Sequence, residues 1–488
     1  MTGYPIPDTA AAENLGLALQ QVGYSELAVH ELLGEDAYSN GEEDATAAER
    51  RLPESPLATV VRLFFLQRPV SAADAVQALG RRGLDALATI GLAAVDDEVV
   101  PRVRILPIGR LLVAADGFAQ GDDPADYVAL YTPTSRLLDS LTPRPRVARA
   151  LDVGTGSGIH ALLAASHAGH VVATDVNERA LAFTELNASL NGLANVECRR
   201  GSLFEPVVGE TFDLITCNAP YVVSPESRWA YRDSGLEADE VSERVVLDAA
   251  AHLADGGFAT LLVSWLAEDE DEPDERVLDW AEQTRCDSWI LSTWESDPLD
   301  HASEWNVHLA DDLDALGRAL DEWTAYFEDL GVHWISEGAV LLHKRPGGGE
   351  ARVDSIDPDE VSVADEQIQR AFASRARLAE LDGDDDLPEQ RFSVEMAFWM
   401  EQELEPRRGR VSIVDARIQL SEGTNSAVEV GPGVLDVVAS LDGRTQLRDV
   451  IHTVAERLGM SGNERARLER DAVEATYELL ELGALGFG

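Results

Sequence analysis

The stretch Ala150-Leu151-Asp152-Val153-Gly154-Thr155-Gly156-Ser157-Gly158-Ile159 decides the fold. An apolar run climbs into a turn with glycine at every second position, and a helix-forming segment, 160–165, follows. Glycine reaches the backbone conformations that a sharp strand-to-helix turn requires, and its missing Cβ lets a ligand lie against bare main chain. Two further stretches extend the pattern. Val171-Val172-Ala173-Thr174-Asp175 is an apolar strand ending in a carboxylate, and Phe212-Asp213-Leu214-Ile215-Thr216-Cys217 leads into Asn218-Ala219-Pro220-Tyr221.

Around this centre strands and helices alternate. Strands are predicted at 149–153, 170–174, 196–199, 212–217 and 258–265, with helices at 178–190 and 242–253. Two more strands, 288–293 and 333–343, suggest an antiparallel edge. Repeated strand–helix units make a parallel sheet covered by helices on both faces.

The expected fold class is therefore α/β: a seven-stranded Rossmann-like domain at 126–346 with flanking domains. Residues 1–125 read as a helical, winged-helix-like N-terminal domain. An acidic linker at 347–366, opened by Gly347-Gly348-Gly349, leads to a C-terminal α+β, winged-helix-like partner-recognition module at 367–488.

In the N-terminal part, helical periodicity runs through 9–33 and 46–66 around a polar insert at 39–46. Ser71 caps one short helix, Gly83-Leu84 opens another, and 99–105 with 111–113 read as a strand pair. In a winged helix the third helix, near Arg81, Arg82 and Leu84, would face a nucleic-acid groove. A helical cap packed on the next domain is the other reading. In the C-terminal part, strands are predicted at 391–398 and 411–420 and helical spacing at 435–441, 447–458 and 468–482, beyond an acidic loop at 382–386. No catalytic constellation falls there.

Composition narrows the class. A chain of 488 residues is too long for one ordinary core, and 45% hydrophobic with 26% charged residues describes a globular protein. No apolar run reaches the length of a membrane span, and the first residues lack the basic and apolar segments of a signal peptide. Cys198, Cys217 and Cys286 are scattered without metal-ligand spacing and read as reduced thiols in a cytoplasm. The net charge of −50 repels phosphate backbones unless a local basic patch overcomes it, and a salt-adapted proteome accounts for it better than a functional role. The run 268–275 reads as a solvated loop.

Asp175 lies 17 residues beyond Gly158, where a strand-ending carboxylate accepts hydrogen bonds from ribose hydroxyls. Capping the next helix is its other use, although Asn177 serves that equally well. The third glycine comes one residue earlier than in the dinucleotide fingerprint, a turn that suits a cationic methionine tail better than a pyrophosphate. Past the fourth strand, an Asn oxygen and a backbone carbonyl can accept the two N–H groups of a planar amide or aromatic amine, and a Tyr ring can stack on its plane. Such contacts favour the geometry in which that nitrogen attacks a methyl group.

On Asp152 to Gly158, Thr174-Asp175-Val176-Asn177, Gly201-Ser202-Leu203-Phe204-Glu205-Pro206 and Asn218-Ala219-Pro220-Tyr221-Val222, residues 131–265 resemble the class I S-adenosylmethionine-dependent methyltransferases. Within that class they are most similar to release-factor glutamine methyltransferases and to the small-domain methyltransferases of ribosomal RNA. The resemblance implies a cofactor site of Thr132, Asp152, Gly154, Thr155, Gly156, Gly158, Asp175, Val176, Ser202, Leu203 and Asn218, with Asp175 on the ribose. It implies an acceptor site of Asn218, Ala219, Pro220 and Tyr221, with residues 131–135 closing over the methionine end. Two positions depart from the family: Ala219 stands where it usually has Pro, and Ser202 where it commonly has an acid beside the adenine amino group. Residues 232–239 are unlike the glutamine enzymes and read as a cap on the acceptor pocket.

The expectation is thus methyl transfer from S-adenosylmethionine to a planar amide or exocyclic amine of the translation machinery: a release factor, a ribosomal protein or rRNA. No metal and no membrane partner are expected. Transfer to a small molecule of secondary metabolism, and a partner-binding protein that keeps the fold without turnover, are the alternatives. His160, His167 and His170 have ordinary helical and loop spacing and read as non-ligands. Trp280, Trp289, Trp294, Trp305, Trp323 and Trp334 read as packing residues, with a base-stacking platform as the alternative.

Overall fold

The computed structural model describes residues 5–34, 45–117, 125–225, 238–381, 386–407 and 410–488. Much of the polar insert at 39–46, most of the acidic loop at 382–386 and residues 232–237 of the expected pocket cap lie outside the described residues. The central sheet holds β1 (Val147–Val153), β2 (Ala168–Asp175), β3 (Val196–Arg200), β4 (Phe212–Asn218), β5 (Leu253–Ala267), β6 (Asp287–Ser296), β7 (Trp334–His343) and β8 (Ala351–Ser355). Its order is β8-β6-β7-β5-β4-β1-β2-β3. From β1 the chain winds outward through β2 to β3, then returns to β4 on the other side of β1. Between β1 and β4 lies the crevice at which such sheets bind ligands.

The five strands β1 to β5 are parallel, and their middle positions are apolar because helices cover both faces; Leu214, Ile215 and Cys217 of β4 are fully buried. The antiparallel strand is present but is not an edge. β7 runs between β5 and β6, antiparallel to both, and β8 adds to β6 in parallel. The sheet thus has eight strands in place of the expected seven, and the eighth lies within the stretch read as a linker. Ala351-Arg352-Val353-Asp354-Ser355 lacks an apolar run because its outward side chains are held by charge: Arg352 pairs with Asp354 at 2.5 Å and with Glu481 at 2.6 Å.

The helices of this unit are α1 (Pro133–Leu141), α2 (Ile159–Ala165), α3 (Glu178–Leu190), α4 (Glu240–His252), α5 (Glu275–Thr284), α6 (Pro298–Trp305) and α7 (Leu313–Leu330). Thr132 caps α1, with Pro133 at its first position, and Asn177 rather than Asp175 caps α3 with its side-chain oxygen.

In the N-terminal part, helices Thr9–Gln21, Glu26–Leu33, Ala45–Arg51 and Pro56–Val60 precede a helix at Ala72–Thr89 that breaks at Gly80, φ 69°. The expected pairing of 99–105 with 111–113 is present from residue 103 onward, while 99–101 belong to a separate small sheet. Glu98–Pro101 joins Ala93–Val95 and Val70–Ser71, while Val103–Ile108 pairs with Leu111–Asp116. Pro101, without an N–H, ends the first ladder. Arg81 and Arg82 are exposed, but Leu84 is buried in the core and faces no groove. This core is continuous with Phe183, Leu186 and Leu190 of α3, and a Cβ at Gly16 would overlap the Leu190 carbonyl oxygen.

After β8, helix α8 (Asp365–Leu378) precedes strands at Arg391–Val394, Phe398–Arg407, Arg410–Leu420, Ala427–Glu429, Asp442–Gln446 and Leu485–Phe487, with helices Val434–Val438, Leu447–Arg457 and Asn463–Glu481. Their apolar side chains, Ile368, Phe372, Phe392 and Leu479 among them, share one cluster with the sheet residues Trp289, Leu291 and Val340. The Arg144 backbone N–H donates to Asp365 Oδ1 (2.8 Å), and Arg375 Nη1 donates to the Ser288 carbonyl (3.3 Å).

Candidate active site

A cavity of about 600 Å³ opens at the C-terminal ends of β1, β2 and β4. Its walls come from both sides of the β1/β4 switch point. On the β2–β3 side stand Asp175, Val176, Asn177, Gly201, Ser202 and Leu203. On the β4–β5 side stand Asn218, Ala219, Pro220, Tyr221 and Val222 with Val241 and Arg244 of α4 and Trp305 of α6. The turn Gly154 to Ser157 forms the floor, and Thr132 to Ser135 flank it.

Gly154, Gly156 and Gly158 all have positive φ, 67°, 55° and 86°. Only at Gly156 would a Cβ meet open space; at Gly158 it would sit 2.8 Å from Thr184 Cγ2, so that glycine serves the approach of α3. Asp152 likewise stands behind the wall. Its buried carboxylate accepts from Thr155 Oγ1 (2.6 Å), Thr216 Oγ1 (2.8 Å) and the Ala161 N–H (3.1 Å), which fastens the turn to β4 and to the start of α2. Burial pushes its carboxyl up to about 6, against the pull of these three donors. Of the expected cofactor residues, Asp152 and Gly158 therefore do not line the cavity; Thr132, Gly154, Thr155, Gly156, Asp175, Val176, Ser202, Leu203 and Asn218 do.

Asp175 is aimed by main chain. Oδ2 accepts from the Gly156 N–H (3.0 Å) and Oδ1 from the Asn177 N–H (2.8 Å), so the carboxylate reaches across the glycine turn. Burial raises its carboxyl above the usual range, and these N–H groups oppose the rise. On the opposite wall, Asn218 Nδ2 points at Thr134 Oγ1 (3.4 Å), which leaves the amide oxygen as its free edge. The Tyr221 N–H donates to the Ala219 carbonyl (2.9 Å), closing a tight turn, and Ser264 Oγ of β5 donates to the Tyr221 carbonyl (2.5 Å). Burial and the nearby Glu337 carboxyl hold the Tyr221 phenol above its ordinary range, so it stays neutral.

The structure adds residues that the sequence did not mark. Tyr127 to Leu130 line the cavity. The Val128 N–H donates to Asp116 Oδ2 (2.8 Å), and the Asp116 N–H to the Val128 carbonyl (3.1 Å). Arg179 of α3 clamps the same buried carboxylate, Nη1 to Oδ2 at 2.6 Å. The position of this segment immediately before Tyr131-Thr132-Pro133 was the available signal. Arg244, a cation inside an acidic helix, was another. Of the tryptophans expected to pack, Trp280, Trp289 and Trp323 are core, Trp294 is exposed, and Trp305 lines the cavity.

The three histidines do unrelated things. His160 is buried beside the cavity and pushed down to about 3, His167 Nδ1 meets the Pro145 carbonyl (2.7 Å), and His170 pairs with Glu197 (3.0 Å). Among the described residues no group of three or more His, Cys, Asp or Glu could hold a metal ion, and no helix is long and apolar enough to cross a membrane.

Comparison with known proteins fits this geometry. Residues 131–267 match the family model described as Methyltransferase small domain. The resemblance read from the sequence therefore holds for the methyltransferase small domain, which spans β1 to β5 and the whole Asn218–Tyr221 turn. Residues 21–105 match a model described as a domain of unknown function (DUF7059). The release factor glutamine methyltransferase of Xylella fastidiosa is 35% identical over 129 residues, covering 24% of this chain and 47% of that protein. The ribosomal protein uL3 glutamine methyltransferase of Bradyrhizobium diazoefficiens is 38% identical over 126 residues, covering 23% of this chain and 40% of that protein. The chain thus spans about half the length of the curated relatives it matches. A solved methyltransferase from Pyrococcus furiosus is 18% identical with a TM-score of 0.30, covering 48% of this chain and 90% of that one.

Proposed function

We propose that the protein is a methyltransferase that uses S-adenosylmethionine to methylate a planar side-chain amide, a glutamine of a release factor or ribosomal protein. The observation that carries this reading is one cavity with Asp175 and the open Gly156 on one side of the switch point and Asn218 to Tyr221 on the other. The donor set fits the cofactor. Asp175 offers half-buried carboxylate oxygens to a ribose diol, and Gly156 presents bare backbone where a side chain would block approach. Ser202 and Leu203, which line the cavity on the same side as Asp175, would meet the adenine edge.

When bound, S-adenosylmethionine would supply an electrophilic methyl group: the carbon–sulfur bond breaks as the carbon–nitrogen bond forms, S-adenosylhomocysteine leaves, and the proton released from the nitrogen passes to water. The Asn218 amide oxygen accepts one N–H of the acceptor amide, and the Ala219 carbonyl, with a second lone pair beyond the one given to Tyr221, accepts the other. The neutral Tyr221 ring lies against the acceptor plane. Together these hold the nitrogen lone pair toward the methyl group, an alignment worth most in the transition state.

We assign macromolecular recognition to the flanking parts. The strand–helix–helix–strand–strand run over 70–101 supports a winged-helix-like reading of the N-terminal domain, although it packs on α3. The net charge of −50 favours a protein acceptor over bare rRNA. A cytoplasmic site of action follows from acceptors of this kind. Incubation with methyl-labelled S-adenosylmethionine and purified release factor, ribosomal protein uL3 or rRNA tests the proposal. Label on a glutamine, located by peptide mass spectrometry, is expected; label on rRNA alone overturns the glutamine assignment, and no label on any acceptor overturns the activity.

A further inference from the structure

Trp305 ends α6 and opens onto the cavity beside the Asn218–Val222 turn. The indole stands beside the carboxyl of Glu337, a residue on β7, and opposes the rise that burial gives that carboxyl. In the sheet register Glu337 lies opposite Ser264 of β5, whose hydroxyl holds the Tyr221 carbonyl. The same helix is fastened a second time one turn earlier. His301 Nε2 donates to the Val223 carbonyl at 3.1 Å, while Nδ1 stands 3.8 Å from Glu337 Oε1. His301 is buried against Trp323 and Phe327, so its place on the turn is fixed by packing as well. One carboxyl and one imidazole thus tie α6, β7 and the acceptor turn into a single frame, and Trp305 is the part of that frame that faces the cavity.

Nothing about core packing requires this arrangement. A tryptophan needed only to fill space would be enclosed like Trp289 and Trp323, which are fully buried. Trp305 is half-buried instead, with the His301 ring packed behind it and the cavity beside it. An indole held in this way supplies a rigid, flat wall at little entropic cost.

We propose that Trp305 is a specificity-determining residue at the acceptor end of the cavity, and that Glu337 and His301 are positioning residues that hold it in register with Asn218 and Tyr221. The inference rests on the methyl-transfer reading and deepens it: the acceptor amide enters between the Asn218–Tyr221 turn and the indole face.

The test measures initial rates of methyl transfer to whichever of release factor and uL3 the parent protein methylates, together with calorimetric affinity for S-adenosylhomocysteine. Trp305→Ala should raise the acceptor KM by about tenfold or more, the loss expected of one well-placed aromatic contact. Affinity for S-adenosylhomocysteine should stay within about threefold of the parent, a change too small to signal a lost contact. Trp305→Phe, which keeps a flat ring, should recover part of the loss. Glu337→Gln, which keeps a polar side chain of the same shape beside His301 and the indole, should leave KM near the parental value, whereas Glu337→Ala should raise it as Trp305→Ala does. An unchanged acceptor KM in Trp305→Ala overturns the proposal while methyl transfer stands. So does an equal loss of S-adenosylhomocysteine affinity, since the wall would then serve the cofactor. A parent that binds S-adenosylhomocysteine yet methylates neither protein overturns the methyl-transfer reading itself, and this inference with it.

Discussion

Asn187 and Ala114 exchange two hydrogen bonds: Asn187 Nδ2 donates to the Ala114 carbonyl, and the Ala114 N–H donates to Asn187 Oδ1, each at 2.8 Å. Asn191 repeats the exchange with Leu112, at 2.7 and 2.8 Å. Four residues of helix advance about 6 Å, and two residues of strand advance about 6.7 Å. Two asparagines one helical turn apart therefore match two successive outward-facing backbone positions on strand Leu111–Asp116. The helix α3 thereby takes the place of a missing neighbour strand and closes an edge that would otherwise stand open. Asn187 Nδ2 also donates to the Ser157 carbonyl at 2.8 Å, so the N-terminal hairpin is wired directly to the glycine turn.

Replacing these two residues should separate structural from ligand effects. Asn187 is fully buried, and Asn187→Ala strands the Ala114 N–H and the Ser157 carbonyl together. Its cost should be about 3 kcal/mol in chemical unfolding, the scale of buried polar groups left unpaired. Affinity for S-adenosylhomocysteine should fall as well. Asn191→Ala touches only the more exposed end of the strand, so about 1 kcal/mol of stability and unchanged affinity are expected. Equal effects of the two variants on affinity would show that the glycine turn is held by other means.

A pH-dependent stability step should come from Asp152. Burial raises its carboxyl from 3.8 to about 6 in the folded protein. The folded state then keeps a proton that the unfolded chain has already released, so this group's contribution falls as pH rises from about 4 to 6 and is constant outside that window. The size is at most about 3 kcal/mol, two pKa units at 1.36 kcal/mol each. Asp152→Asn preserves the shape and removes the titration. The difference in unfolding free energy between parent and variant should therefore shift in the variant's favour between pH 4 and 6. A difference that stays flat across this range would mean that Thr155, Thr216 and Ala161 keep the carboxylate ionised throughout.

The part that matches the methyltransferase small domain was legible because its signals are local. A strand, a glycine turn and a helix follow each other within nineteen residues, Val147 to Ala165, and Asp175 and Asn218 mark strand ends by their position alone. What escaped is non-local. Asp152 reads like a ligand from its place before Gly154, yet only the fold shows that Thr216, 64 residues away, occupies it. The strand β8 carries no alternating apolar pattern, since Arg352 pairs with Glu481 across 129 residues of chain. Trp305 carries no periodic or motif signal at all, and reaches the cavity on a helix that His301 fastens to the Val223 carbonyl.

The same non-local pairing predicts the outcome of truncation. A chain ending at Arg345 would lose β8 from the sheet edge and uncover Trp289 and Leu291, which share their apolar cluster with Ile368 and Phe372. It would also remove Arg375, whose guanidinium stacks over Trp289 at 4.8 Å. Such a chain should aggregate or show a broad, weakly cooperative thermal transition, because a large apolar face becomes exposed. A monomeric product with a sharp transition would establish instead that the sheet is complete without its eighth strand.

The chemistry itself should divide cleanly between the two walls of the cavity. Asp175 reaches the glycine turn and no acceptor residue, so Asp175→Ala should weaken S-adenosylmethionine binding by about 1.5–3 kcal/mol, the scale of hydrogen bonds to a charged group. Asn218 lies on the β4 wall with its nitrogen toward Thr134 and its oxygen free. Its contact with an acceptor N–H gains strength as the nitrogen attacks, so its loss should appear in turnover more than in cofactor affinity. Asn218→Ala should lower kcat by a barrier of about 2–4 kcal/mol, as single preorganised polar contacts do elsewhere. Tyr221→Phe should keep most of the activity, because the phenol is buried and neutral and contributes its ring, whereas Tyr221→Ala should not. Steady-state rates combined with calorimetric S-adenosylhomocysteine affinities for the four variants read both walls at once. An Asn218→Ala protein that methylates at the parental rate would remove the acceptor role of the turn, and one that loses cofactor affinity as Asp175→Ala does would move Asn218 to the cofactor side.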